Sequence, residues 1–485
     1  MNDIRKLEPV NLWNYFHGIT QIPHPSKKEE KIVEFIKEFA KKNNLESYID
    51  KVGNVIIRKP ATKGMENRKC VIFQTHLDMV PQKNSDKKHD FEKDPIEAII
   101  DGEWVRANGT TLGSDNGIGV AATMAVLASK DIIHGPLEAL FTIDEETGMT
   151  GVFGLEKGAL KGDILLNLDS EDEGELYVGC AGGIDVSITK NYREENPPAG
   201  IVAYKITAKG LKGGHSGVDI ALGRANSNKI MFRFLMQAES DFEIRLVEAA
   251  GGDLRNAIPR ESYSVVLVSE TKSAEFLKFV KRYENMYRAE FSETEPGLSF
   301  NAQKIKIPLR VMKQSEQYKI IRAVFACPNG IQRMSQAMKG LVETSNNLAI
   351  VKCINGKFET HCLTRSSVDS SKEATAWKIA AVFHLIGAKV SLSGSYPGWK
   401  PNMDSPILKT MSDVYKRKFG KVPDIKAIHA GLECGILGGV YPNLDMISFG
   451  PTIRFPHSPD EKVNIQSVKK FFDFLCETLK EIPVK

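Results

Sequence analysis

The sequence has no surplus of charge. Its 65 basic and 61 acidic residues leave a formal net charge of +4, too balanced to create a field that draws in nucleic acid or an anionic membrane. Neither is expected as a partner. No run of about 18 apolar residues is present for a membrane span, and Met1-Asn2-Asp3-Ile4-Arg5 lacks the apolar core of a secretory signal. The expected location is therefore the cytoplasm. Cysteine is sparse and scattered: Cys70, Cys180, Cys327, Cys353, Cys362, Cys434 and Cys476 are odd in number and never spaced C-x-x-C. That pattern excludes a disulfide framework and a zinc ribbon, and leaves small buried apolar residues as the expected role.

What the chain does have is length and alternation. Its 485 residues exceed what one hydrophobic core accommodates, so two domains are expected. Val71-Ile72-Phe73 is a β-branched and aromatic run that ends in Thr75-His76-Leu77-Asp78. Leu137 to Ile143 is a second such run and ends in Asp144-Glu145-Glu146. Ile164 to Leu168 is a third and ends in Asp169. Helical patterns separate the runs: Ser26 and Glu29 form a capping-box signature before Ile32, Phe35, Ile36 and Phe39, and Ile118 to Leu127 is a small-residue helix. Strands alternating with helices predict an α/β fold around a mainly parallel sheet.

The polar, proline-containing stretch 191–200 reads as a linker. Beyond it the pattern becomes α+β, in two successive sets, the second with a hairpin turning at Asn355-Gly356. The α/β pattern resumes near Ser393. The expected organisation is a catalytic domain over 1–196 and 393–485, interrupted by an inserted α+β lid over 197–392 that holds up to two tandem units.

Three strand ends in a row deliver an imidazole or a carboxylate to the edge where open α/β sheets carry their chemistry. Asp115 follows on a glycine-punctuated loop and His457 on the rigid Pro456-His457-Ser458-Pro459 segment. One histidine at a strand end is most often a hydrogen-bonded loop residue, and an acidic triplet is most often solvated surface. The coincidence argues otherwise, because buried strands should not repeatedly end in acids without a compensating charge. His76, Asp115, Glu146, Asp169 and His457 are too many ligands for one catalytic zinc with an open position. A pair of ions about 3.5 to 4 Å apart with one shared carboxylate would use all five. Glu145, beside Glu146 and not needed as a ligand, suits a general base.

His76-Leu77-Asp78, Gly113-Ser114-Asp115-Asn116-Gly117, Asp144-Glu145-Glu146, Asp169, Gly213-Gly214-His215-Ser216 and His457 resemble the motif set of the M20 metallopeptidases. The longer stretches His76 to Asn84, Gly179 to Asp185, Arg255 to Arg260, His429 to Gly435 and Gly450 to Asp460 are similar to the aminoacyl-histidine dipeptidase branch of that family. The resemblance implies one ion held by His76 and Asp169 and the other by Glu146 and His457, with Asp115 bridging through a loop whose Asp115-Asn116 bond is cis. It implies that Asp78 orients His76. It also implies that His215 and Asn256 stabilise an oxyanion, that Arg365 pairs with the substrate's terminal carboxylate, and that Gly431 adds backbone to that pocket.

The activity implied is hydrolysis of dipeptides with free termini, with C-terminal histidine preferred. The cofactor implied is a pair of divalent ions, zinc first, with cobalt or manganese as alternatives. Other M20 activities, a tripeptidase or an N-acyl amino acid deacylase, are the enzymatic alternatives. A silent peptide-binding protein is the non-enzymatic one, and would have lost a ligand or Glu145. A homodimer is the expected assembly, with a monomer carrying a duplicated lid as its alternative.

Overall fold

The all-buried strand Val71–His76 lies at the centre of an eight-stranded sheet in a computed structural model that describes residues 3–485. Leu137–Thr142 flanks it in parallel on one side, with His76 opposite Thr142, and Ile164–Asn167 on the other, with Gln74 opposite Asn167. Asp445–Ser448 extends the parallel set. Both Val71–His76 and Leu137–Thr142 are buried at every position, which is why they read as unbroken apolar runs. The antiparallel strands Val55–Lys59 and Glu46–Ile49 close one edge. The four strands at the middle of the sheet are thus parallel, in keeping with the alternation in the sequence.

Ser114–Ala128 is a helix buried along almost its whole length, whereas Glu30–Lys42 buries one stripe, Ile32, Ile36, Phe39 and Ala40. That second helix corrects one sequence expectation. No side chain caps its N-terminus. Ser26 instead donates to Asp78 at 2.8 Å, and Glu29 accepts from the backbone N–H groups of Lys27 (2.8 Å) and Asp144 (3.1 Å). Both capping-box residues are diverted to hold the loop that carries Glu145 and Glu146.

The chain divides into two compact units. Unit 1 comprises Met1–Gly179, Pro401–Ala427 and Leu432–Lys485; unit 2 comprises Cys180–Lys400 and Ile428–Gly431. Unit 2 is built on a nine-stranded antiparallel sheet to which both α+β stretches contribute. The long hairpin Val342–Ile354 and Lys357–Ser366 runs through it, turning at Asn355 (φ 50°) and Gly356 (φ 75°). These two left-handed residues suit the tight turn. The unit begins at Cys180, ahead of the 191–200 stretch, because Gly182–Asn191 pairs along its length with Lys357–Ser366 and with Lys389–Tyr396. Its core is aromatic: Phe234 meets Phe276, Phe279, Tyr283 and Phe300 at centroid separations between 5.0 and 6.0 Å. Among the described residues no helix is long and apolar enough to cross a membrane.

Candidate metal centre and anion cradle

In unit 1, His76 ends its strand 2% exposed. Its Nε2 lies 3.3 Å from Asp115 Oδ1 and 3.3 Å from Asp169 Oδ1. His457 Nε2 lies 2.9 Å from Glu146 Oε2 and 3.4 Å from Asp115 Oδ2. Asp115 therefore turns one oxygen to each imidazole. Two triads result, His76 with Asp115 and Asp169, and His457 with Asp115 and Glu146; in each, the potential ligand atoms lie within 4.8 Å of one another.

The loop that carries Asp115 is shaped by a carboxylate the sequence reading missed. Glu461 accepts from the N–H groups of Leu112 (2.7 Å), Gly113 (3.0 Å) and Ser114 (2.7 Å), and from the Ser114 hydroxyl (2.6 Å). The Asp115-Asn116 bond is cis, as the resemblance implies. Asn116 then donates to Leu168 O at 2.8 Å and to Asp169 Oδ1, tying the loop to the third strand end. Gly119 is required by this approach, because a Cβ there would sit 2.6 Å from Leu168 O.

Asp78 does more than face His76, whose Nδ1 is 3.0 Å from Asp78 O and 3.4 Å from Asp78 Oδ1. It also accepts from the N–H groups of Glu145 (2.9 Å) and Glu146 (3.2 Å). Burial works against the Asp78 carboxylate, but His76, the Glu145 N–H and the Ser26 hydroxyl outweigh it and hold its pKa at about 2. For His457, hydrogen bonds to Asp115 and Glu146 raise the imidazole to about 11 against the opposing effect of burial. Glu145 is pushed well above the carboxylate range by burial and then by Asp169, Glu433 and Glu146, with His76 opposing.

Four carboxylates surround these two imidazoles, and Glu146 Oε1 is buried with no hydrogen-bond partner among the described residues. Buried acceptors in excess call for cations. Mixed imidazole and carboxylate donors are the set that divalent zinc, cobalt or manganese accept, so the residues fit a pair of such ions. Beneath the centre, Glu433 accepts from Gln74 (2.5 Å) and Thr142 (3.0 Å), and Asn167 donates to Gln74 at 2.5 Å. This buried network ties together the three strands that present His76, Glu146 and Asp169.

Unit 2 holds a second cluster of opposite character. Gly214–His215 pairs with Ala257–Ile258, which sets His215 on a tight turn. Its Nδ1 accepts from the N–H groups of Val218 (3.0 Å) and Gly217 (3.3 Å), so the proton of the neutral ring sits on Nε2. Burial and then Arg365 keep its pKa below the ordinary histidine value. That Nε2 lies 3.5 Å from Arg365 Nη2, and both groups are donors.

Arg365 is 6% exposed and has no carboxylate within ion-pair distance among the described residues. Its Nη1 donates to Tyr396 Oη at 3.0 Å, and its Nε points to Ser216 Oγ at 3.5 Å. Gly431 lies against the Tyr396 ring, where a Cβ would come within 3.2 Å. His429, hydrogen-bonded to Ser345 at 2.8 Å, is forced neutral by burial and then by Arg365, its pKa driven down to about 3. Asn256 is exposed, and its carbonyl accepts from Ser216 N–H at 2.8 Å. Tyr396 was not found from sequence, and Ser216 and His429, although they lie in the Gly213–Ser216 and His429–Gly435 motif stretches, were given no role there.

A model of Peptidase family M20/M25/M40 matches residues 72–481. The chain is 47% identical over 485 residues, all of both proteins, to the cytosol non-specific dipeptidase of Escherichia coli (strain K12). It is similar to the crystal structure of aminoacylhistidine dipeptidase from Vibrio alginolyticus, with 49% identity, a TM-score of 0.96, and coverage of 99% of this chain and 98% of that one. Aminopeptidase PepT from Bacillus cereus, 16% identical with a TM-score of 0.58 over 98% of this chain and 99% of that one, shares the fold. With a family match and full-length relatives of this kind behind the geometry, the chain belongs to peptidase family M20/M25/M40.

Proposed function

We propose that this protein is a metal-dependent dipeptidase that cleaves dipeptides with free termini and prefers histidine at the C-terminal position. The observation that carries the reading is Asp115, whose two oxygens face the separate imidazoles of His76 and His457. His76, Asp169, Glu146 and His457, with Asp115 between them, would hold two divalent ions, zinc in the first instance. Bound there, such ions supply Lewis acidity to the scissile carbonyl and to the attacking water.

The remaining steps belong to side chains. Glu145 takes a proton from the attacking water and returns it to the leaving amine, a role its position beside Glu146 allows because it is not needed as a ligand. Asp78 holds the backbone N–H of Glu145 and so fixes where the base sits. His215, neutral with its proton on Nε2, donates to the developing oxyanion, with Asn256 assisting. Arg365 takes the terminal carboxylate, which supports a substrate limited to two residues because a longer chain would separate its two charged ends.

The names of the relatives support the dipeptidase reading and divide over side-chain preference: one is called non-specific, the other acts on aminoacylhistidine. Turnover of a panel of Xaa-His and other dipeptides, after chelation and add-back of single metals, tests it. Activity that survives full chelation would refute the reading, and equal rates on Ala-His and acetyl-His would replace the dipeptidase with a deacylase. The reading places the protein in the cytoplasm, as the first relative's name supports, and includes a homodimer, which sedimentation velocity measures.

A further inference from the structure

We infer that Tyr396 is a specificity-determining residue: its phenolic O–H is a second donor to the substrate's terminal carboxylate, and its oxygen positions Arg365 for the same task. The inference rests on the carboxylate reading of Arg365 given above. Tyr396 Oη accepts from Arg365 Nη1 at 3.0 Å, so the phenol's own proton is not used in that bond. No acceptor for that proton lies within hydrogen-bond distance among the described residues. His215 Nε2–H and Arg365 Nη2 confront each other at 3.5 Å, also without an acceptor. Three donors thus converge with nothing to receive them. A carboxylate, with two oxygens and about four lone-pair directions, answers that arrangement, whereas a neutral amide offers one oxygen and adds two further N–H donors.

The ring is held as a fixed donor should be. A Cβ at Gly183 would come within 2.7 Å of the Tyr396 ring, and one at Gly431 within 3.2 Å, so two glycines make room for it. The backbone is anchored as well: Lys372, 2% exposed, donates from Nζ to Tyr396 O at 2.5 Å. Burial raises the phenol's pKa above its ordinary value, so the proton is present across the neutral range. Tyr396 would therefore discriminate a free C-terminus from a blocked one with a neutral group. That lets it add to the grip without bringing a second buried charge.

The test compares Ala-His with its C-terminal amide on the metal-loaded enzyme, wild type and Tyr396→Phe. The expected result is a KM for Ala-His raised roughly tenfold or more, with kcat within about twofold, and an unchanged KM for the amide. Equal losses on acid and amide, or no change on the acid, would overturn the inference. A wild-type enzyme that does not distinguish acid from amide would overturn the carboxylate reading of Arg365 and the inference with it. A wild type that discriminates while Tyr396→Phe matches it removes the inference alone. Trifluorotyrosine at position 396 keeps the ring and so keeps the fold. It should bring the rise in KM into a lower pH range than in wild type, and an unshifted pH profile would overturn the proposal.

Discussion

The centre of unit 1 and the cradle of unit 2 are chemical opposites. In unit 1, carboxylates crowd two imidazoles and buried acceptors outnumber donors; in unit 2, Arg365 Nη2, His215 Nε2 and the Tyr396 O–H are donors that face no acceptor among the described residues. An acceptor-rich pocket is completed by cations and a donor-rich one by an anion. Each cluster is unbalanced by itself, so each states the charge of what it binds. The two are also built differently. The first is collected at the ends of neighbouring parallel strands, and the second from the ends of two long antiparallel strands and a two-residue strand.

The largest expected effect tests the chemical half of this contrast. Glu145→Ala should retain its metal, measured by elemental analysis, and lose about 10² to 10⁴ in kcat; full activity would remove Glu145 as base. On the other side, Arg365→Met should cost about 10² or more in kcat/KM on Ala-His and far less on its amide. A similar loss on both substrates would break the assignment of unit 2 to an anion.

Smaller effects sharpen the comparison. Asp78→Ala removes the acceptor that holds the Glu145 and Glu146 backbone, and should weaken metal affinity by about 10- to 100-fold in competition with a chelator. Unchanged affinity would confine Asp78 to packing. The smallest is a pH effect in unit 2. The folded pKa of His429 is about 3, below its ordinary value near 6.5. The unfolded chain therefore binds a proton that the folded chain refuses as the pH falls from about 6.5 towards 3. Stability is lost in that window, at up to about 1.4 kcal/mol per pH unit for one group. His429→Gln should flatten this part of a denaturation-against-pH profile, and a parallel profile would show that His429 is not its source.

The contrast also explains what could be read in advance. The strands before His76, Glu146 and Asp169 are buried on both faces, so they appear as continuous apolar runs, and the polar residue that ends each one stands out. Asp115 and His457 stand out by their glycine and proline surroundings. Ser26 and Glu29 misled, because a capping box and a loop tether use the same residue types, and only the fold decides which backbone N–H is near enough to claim the carboxylate. Tyr396 closes an exposed edge strand with no apolar period to frame it. Glu461 follows a loop with nothing to mark that it reaches back to Leu112, Gly113 and Ser114.

By itself the sequence determined the class of fold, the strands that end at the site and the chemical kinds of side chain at those ends, because burial and backbone periodicity act on residues close together in the chain. Tertiary structure alone decided that Asp115 divides its oxygens between His76 and His457, that Glu433 and Glu461 brace the centre from beneath and beside, and that Tyr396 stands next to Arg365. Those pairings join positions from about 30 to nearly 360 residues apart, and no local pattern encodes a distance that only the folded path of the backbone sets.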